Sequence, residues 1–218
     1  MKENAKEASS RIELRERIIA KATDAFTANG IKTITMDDIA ADLGISKRTL
    51  YEVFPDKETL LKEAVLKIKG ERDAYLKEVY EHSSNVLEVI LAVFKKSIEV
   101  FHATSKQFFE DIKKYPKVHE MMKHNRDDDS ESTIAFFREG VGQGLFRADV
   151  NFAIVNLLVK EQFDLLLNTN ICNEYPFFEV YESIMFTYIR GISTDKGAQM
   201  LEEFIQEYRR NAKEKQKE

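Results

Sequence analysis

Between Thr35 and Lys57 the chain reads TMDDIAADLGISKRTLYEVFPDK, and this stretch constrains the fold more than any other. Thr35 and Asp38 have the spacing of a capping box, in which the hydroxyl accepts from a first-turn amide and the carboxylate accepts from the Thr35 amide. A helix is therefore expected to start here. Met36, Ile39, Ala40 and Leu43 recur at intervals of three and four and form one apolar stripe, leaving Asp37, Asp38 and Asp42 on the solvated side. Gly44 follows at once, and glycine best tolerates the left-handed conformation that ends a helix in a tight turn. Ser46 can cap a second helix with Ile45, Leu50, Val53 and Phe54 inward, while Lys47, Arg48, Thr49, Tyr51 and Glu52 point outward or to its edges. Pro55 stops that helix. Two short helices joined by a glycine turn, with hydroxyl and basic residues on the second, form a helix-turn-helix, whose second helix enters the major groove of double-stranded DNA.

The same residues carry a family pattern: Thr35, Ile39 and Ala40, Gly44 with Ile45 and Ser46, the triplet Thr49, Leu50 and Tyr51, then Phe54, and finally Lys57 with Glu58. This order resembles the tetracycline-repressor family of bacterial transcriptional regulators. The likeness covers the first quarter of the chain; beyond it, only the helical layout and the stretch Gly144 to Asp149 (GLFRAD) resemble the family. The resemblance implies an all-α protein with an N-terminal three-helix DNA-binding domain at 1–57 and a helical ligand-binding and dimerisation domain at 58–218. It implies a homodimeric repressor on a palindromic operator, released when a hydrophobic small molecule favours a head spacing that no longer matches the DNA.

DNA-facing roles follow by position. Arg48 is the candidate for a guanine edge, Lys47 for a base or a phosphate, and Ser46 and Thr49 lie beside them at the start of the reading helix. Thr35, Tyr51 and Lys57 match family positions that meet the backbone. Arg48 stands where many relatives have a small residue, and Glu52 is acidic in a helix that approaches phosphates, so the preferred operator does not carry over. A cytosine amine is one candidate partner for Glu52. Residues 1 to 57 hold ten basic and ten acidic side chains, against a whole-chain charge of −5. Phosphate binding needs positive charge only where the phosphates pass, and Lys47, Arg48 and Lys57, doubled in a dimer, supply it there.

Elsewhere the sequence is continuously helical in pattern, with only three prolines and eight glycines in 218 residues. A first helix is expected from about Ser10, capped with Glu13, to Asn29, burying Ile18, Ile19, Ala22, Ala25 and Phe26. A long helix after Lys57 carries Leu60, Leu61, Ala64, Val65 and Ile68 and continues to about Tyr80. Pro116 breaks or starts a helix, and a helical pattern then runs to about Val141. Gly140, Gly142 and Gly144 lack the strand and lysine of a phosphate loop and read as a helix end and turn. A last helix from Thr194 is followed by RRNAKEKQKE, read as a charged, frayed tail.

Thirteen of the 15 phenylalanines lie after residue 57. Core packing is the ordinary use of such rings. The sharper use is a small-molecule cavity drawn from Phe101, His102, Phe108, Phe109, Tyr115, Met121, Met122, Phe136, Phe137, Gln162 and Phe163, which would take a largely hydrophobic effector. Helices expected at Val150–Asn168 and Tyr175–Ile192 carry apolar residues over more than one face. The first holds Phe152, Val155, Leu158, Val159, Phe163, Leu166 and Leu167. A two-fold dimer formed by this pair covers them, with burial against the chain's own body as the alternative.

Several chemistries are disfavoured. Asp127, Asp128 and Asp129 point about 100° apart on a helix and cannot converge on one ion. His119 and His124 are five places apart, one too many for a shared zinc-binding face. Cys172 stands alone and reads as a packing residue, with a redox sensor as its alternative. No nucleophile has a base at catalytic spacing, so neither an enzyme nor a cofactor is expected. No apolar run approaches the ~18 residues that span a bilayer, and MKENAKEASS lacks a secretory core, which places the protein in the cytoplasm without membrane contact. The rival function is a helical ligand-carrying or protein-interaction module that no longer binds DNA specifically.

Overall fold

The computed structural model describes residues 2–127, 130–168 and 171–215. Their regular elements are α1 (Lys2–Asn29), α2 (Met36–Leu43), α3 (Lys47–Val53), α4 (Lys57–His82), α5 (Val86–Ala103), α6 (Lys106–Ile112), α7 (Pro116–Asp127), α8 (Ser130–Gly142), α9 (Phe152–Asn168), α10 (Ile171–Glu174), α11 (Phe177–Ile192) and α12 (Asp195–Lys215). The protein is all-α. One antiparallel bridge, between Phe146 and Ser193, interrupts the pattern.

Four boundaries differ from the sequence reading. Helix α1 begins at Lys2 instead of Ser10, because lysine, glutamate and alanine are strong helix formers and nothing before Ser10 breaks the helix. Ser9 donates to Glu13 at 3.4 Å from within that helix. Helix α9 starts at Phe152, two residues after Val150, with Asn151 accepting from the amides of Ala153 and Ile154. Pro176 delays α11 to Phe177, leaving Tyr175 outside it. The supposed tail is helical as far as Lys215. The side chains of His124, Asp127, Leu166, Leu167 and Cys172, and all of Asp128 and Asp129, lie outside what is described.

The chain divides into two compact units, Met1–Lys77 with Glu99–Asn125, and Glu78–Ile98 with Arg126–Glu218. The cuts fall inside α4, α5 and α7. In the first unit Ile18, Phe26, Ile39, Leu50, Phe54, Leu60 and Leu61 form a closed core that Phe108, Ile112 and Val118 join. Helix α6 is fixed to α1 by the Ser105 amide, which donates to the Thr27 carbonyl at 2.7 Å. Gly30 makes this close approach possible: its φ is +86°, and an added Cβ would lie 2.5 Å from Gln107 Cγ.

In the second unit Phe94 is the central ring. Phe186, Tyr208, Tyr181 and Phe204 surround it with centroids at 4.9, 5.4, 5.5 and 6.2 Å. The loops before α9 and after α11 are stitched together. The Arg147 amide donates to the Ile192 carbonyl at 2.8 Å, the Thr194 amide to the Leu145 carbonyl at 2.9 Å, and the Thr194 hydroxyl to the Gly144 carbonyl at 2.8 Å. Helix α9 leaves Ile154, Leu157 and Leu158 about half exposed at 55, 57 and 48%. Their spacing of three and four aligns them as one stripe.

Candidate nucleic-acid interface

Local chemistry builds the helix pair. Thr35 caps α2: its hydroxyl accepts from the Asp38 amide at 3.1 Å, and the Thr35 amide donates to the Asp38 carboxylate at 2.8 Å. Hydrogen bonds from the Thr35 hydroxyl and amide hold the Asp38 carboxyl below the usual carboxylate range, with the Lys57 charge adding to them. Met36, Ile39 and Ala40 are buried as the stripe requires. Gly44, at φ 65°, terminates α2 in the left-handed conformation, its amide donating to the Ala40 and Ala41 carbonyls. Ser46 then caps α3, accepting from the Thr49 amide at 3.0 Å.

With Leu50 and Phe54 buried and Val53 packed against the same core, Lys47, Arg48, Tyr51 and Glu52 face solvent and Thr49 is half-buried. Ser46 and Thr49 share a hydroxyl–hydroxyl hydrogen bond of 2.8 Å at its start. Lys47 reaches back to Asp37 on α2, Nζ to Oδ2 at 2.8 Å, and also lies 5.9 Å from the Tyr51 ring centre. The Asp37 hydrogen bond and charge hold the Lys47 ammonium above its ordinary value. Arg48 donates from Nε to Glu52 at 2.9 Å, with its side chain 88% exposed. Tyr51 is 40% exposed. Lys57 is half-buried at the start of α4, with Nζ 5.8 Å from the Phe26 ring centre. Burial lowers its ordinary value, opposed by the charges of Asp111 and Asp38. Thr35, Ser46, Lys47, Arg48, Thr49 and Tyr51 thus sit at the exposed ends and outer face of one helix pair, with Lys57 recessed.

Two acids matter that sequence reasoning passed over or left as solvated surface. Asp37 is the partner of Lys47. Asp111 on α6 is fully buried and accepts from the Lys32 amide at 2.7 Å, from Gln107 at 3.0 Å and from Lys114 at 3.0 Å. Burial pushes its carboxyl up, but these donors outweigh it and hold it below the usual range. No local signal could have found a partner 79 residues away in sequence.

The aromatic candidates divide between the two units. Phe101 stacks on Phe109 at 4.5 Å, Phe109 meets Phe108 edge-on at 5.6 Å, and Tyr115, Met121 and Met122 pack against the same core; His102, also in that unit, is exposed. In the other unit Phe136 and Phe137 pack around Phe146 and Phe152, and Phe163 lies 5.4 Å from Tyr181, while Gln162 is exposed. Among the described residues a depression of about 360 Å³ is lined by Ile134, Arg138, Asp149, Val150, Asn151, Phe152 and Ala153, of which none belongs to the aromatic set. Also among them, no group of three His, Cys, Asp or Glu side chains is placed to hold a metal ion. No helix there is long and apolar enough to cross a membrane.

A doubly capped helix pair with cations and hydroxyls on its outer face defines a helix-turn-helix protein. Residues 18–64 match the family model described as bacterial regulatory proteins, tetR family. The repressor KstR2 of Mycolicibacterium smegmatis is 22% identical over 67% of this chain and 74% of its own length. The uncharacterised regulator YvaF of Bacillus subtilis is 31% identical over 46% of this chain, which spans about half of that protein at 53%. A crystal structure of a Saccharomonospora viridis transcriptional regulator in complex with choline shares the fold, with a TM-score of 0.66 at 18% identity over 84% of this chain and 98% of that one. Over residues 18–64 the chain is thus similar to the DNA-binding segment of TetR-family transcriptional regulators, and the rest shares the fold of such regulators.

Proposed function

We propose that the protein is a ligand-responsive repressor that binds a palindromic operator as a homodimer in the cytoplasm and is released by a hydrophobic small molecule. The observation that carries this reading is α3 itself: Leu50 and Phe54 anchor it while Lys47, Arg48, Thr49 and Tyr51 stand outward on a capped, rigid helix. Residues 1–57 are the DNA-reading part and the rest the ligand and dimer part. The exposed stripe on α9, together with α11, supports a two-fold interface. The aromatic groups around Phe101, Phe108 and Phe109, and around Phe136, Phe137 and Phe163, support a largely apolar effector, and the choline complex concerns a fold relative that holds a small molecule.

Selection of sites from a random duplex library, followed by salt titration of the winner, tests this reading. A palindromic winner with a steep salt slope is expected. Arg48→Ala should then lose about 1–3 kcal/mol of discrimination at one base pair, whereas Lys57→Ala should weaken all sequences alike. Equal losses for Arg48→Ala on matched and scrambled sites would remove it from base reading. The pairs Lys47–Asp37 and Arg48–Glu52 favour one other reading, a helical module that no longer binds DNA specifically, because they leave the outer face without net charge. Absence of any enriched sequence at low salt selects that reading.

A further inference from the structure

Both cations on α3 are already engaged by carboxylates of the head itself. Arg48 is held by Glu52 within α3, but Lys47 is held from outside it, by Asp37 in the first turn of α2. The Lys47–Asp37 contact spans ten residues and the glycine turn, so the folded helix pair, not the local sequence, creates it. Its side chains are 62 and 58% exposed, and nothing buried resists its exchange for another partner. The raised Lys47 value keeps the ammonium charged throughout the physiological range.

We propose that Asp37 is a specificity-determining residue that suppresses binding to non-operator DNA by occupying the Lys47 ammonium until a base edge replaces it. The proposal rests on the DNA-binding reading above. Affinity for arbitrary sequence comes from cations that displace counterions from phosphates, each adding about 0.9 to the salt slope. While Asp37 holds Lys47, the pair carries no net charge, so the ammonium adds nothing to phosphate binding. At the operator an acceptor on a base edge takes the place of Asp37, so Lys47 contributes there and only there. Discrimination is a difference between affinities, and here it is widened by weakening the wrong complex.

The test compares wild type, Asp37→Asn, Lys47→Met and the double variant on the selected duplex and on a scrambled one, each across a salt series. Asp37→Asn keeps the shape of the side chain and releases Lys47. It should bind scrambled DNA several-fold more tightly, steepen that salt slope by about one, and reduce the ratio of matched to scrambled affinity. Adding Lys47→Met to Asp37→Asn should cancel the scrambled-DNA gain. Equal gains on both duplexes, an unchanged slope on the scrambled duplex, or a gain that survives Lys47→Met would overturn the proposal. A wild type that prefers no sequence overturns the DNA reading and this proposal together, whereas a wild-type preference left intact by Asp37→Asn overturns this proposal alone.

Discussion

Helices α2 and α3 span eight and seven residues, yet each has a side-chain cap and a buried apolar anchor, whereas the 17-residue α9 keeps Ile154, Leu157 and Leu158 half in water. Short helices are marginal by themselves and persist only where caps and packing satisfy them completely. Helix α9 is long enough to form with part of its apolar surface uncovered, and that surplus is what an interface between subunits would consume. The reading head is therefore finished within one chain, and the second unit is built with an unfinished face.

Breaking the unfinished face should have the largest effect. In the proposed two-fold dimer Leu158→Asp would introduce a charge twice in the interface, and with about 1.5–3 kcal/mol per buried leucine, dissociation should become easier by about 3–6 kcal/mol. Sedimentation across a dilution series measures this, and an unchanged dimer would move the interface elsewhere. Within the finished unit, Asp111→Ala strips the acceptor from Lys32, Gln107 and Lys114 and should cost about 2–3 kcal/mol in denaturant unfolding. Because the Asp111 carboxyl is held below its ordinary value, its stabilisation is complete above the unfolded value of about 3.9. It should fade as pH falls through the lower folded value, and Asp111→Asn should flatten that acid limb.

Two smaller changes probe the turn and the cap. An added Cβ at Gly44 meets nothing within 4 Å, so Gly44→Ala isolates the backbone penalty of φ 65°, about 1–2 kcal/mol. A larger loss would reveal packing at a site that has open space. Thr35→Ala removes the α2 cap and should lower stability by about 1 kcal/mol. Hydrogen exchange of the α2 amides should report it as local fraying.

What was legible in the sequence follows from the range of each interaction. The box at Thr35 and Asp38, the turn at Gly44 and the cap at Ser46 close within four residues, so the motif displays its own geometry. The Lys47–Asp37 pair needs the turn to be folded first, and Asp111 needs α6 placed against the α1–α2 connection. Ring content marked Phe101, Phe109, Phe137 and Phe163 as candidates without locating them, because periodicity places a ring on a face but not against a particular partner. Their division between two units is a tertiary fact. The charged ends were misread for a simpler reason: lysine and glutamate suit solvated helices as well as loose tails, and α1 and α12 use them in that way.

The stitched loops around the Phe146–Ser193 bridge set a limit on how this chain can vary. Backbone hydrogen bonds from Arg147 to Ile192 and from Thr194 to Leu145 close a ring that begins and ends at one point and contains α9, α10 and α11. Loop-closure entropy grows only slowly with length, so a longer or shorter connection between α9 and α11 should cost little provided that the two helices keep their core register and the bonds at the base stay in place. Variation is therefore expected on the outer stripe of α9, at Ile154, Leu157 and Leu158, while Phe152, Phe186, Ile189 and Ile192 tie the same segment to the core.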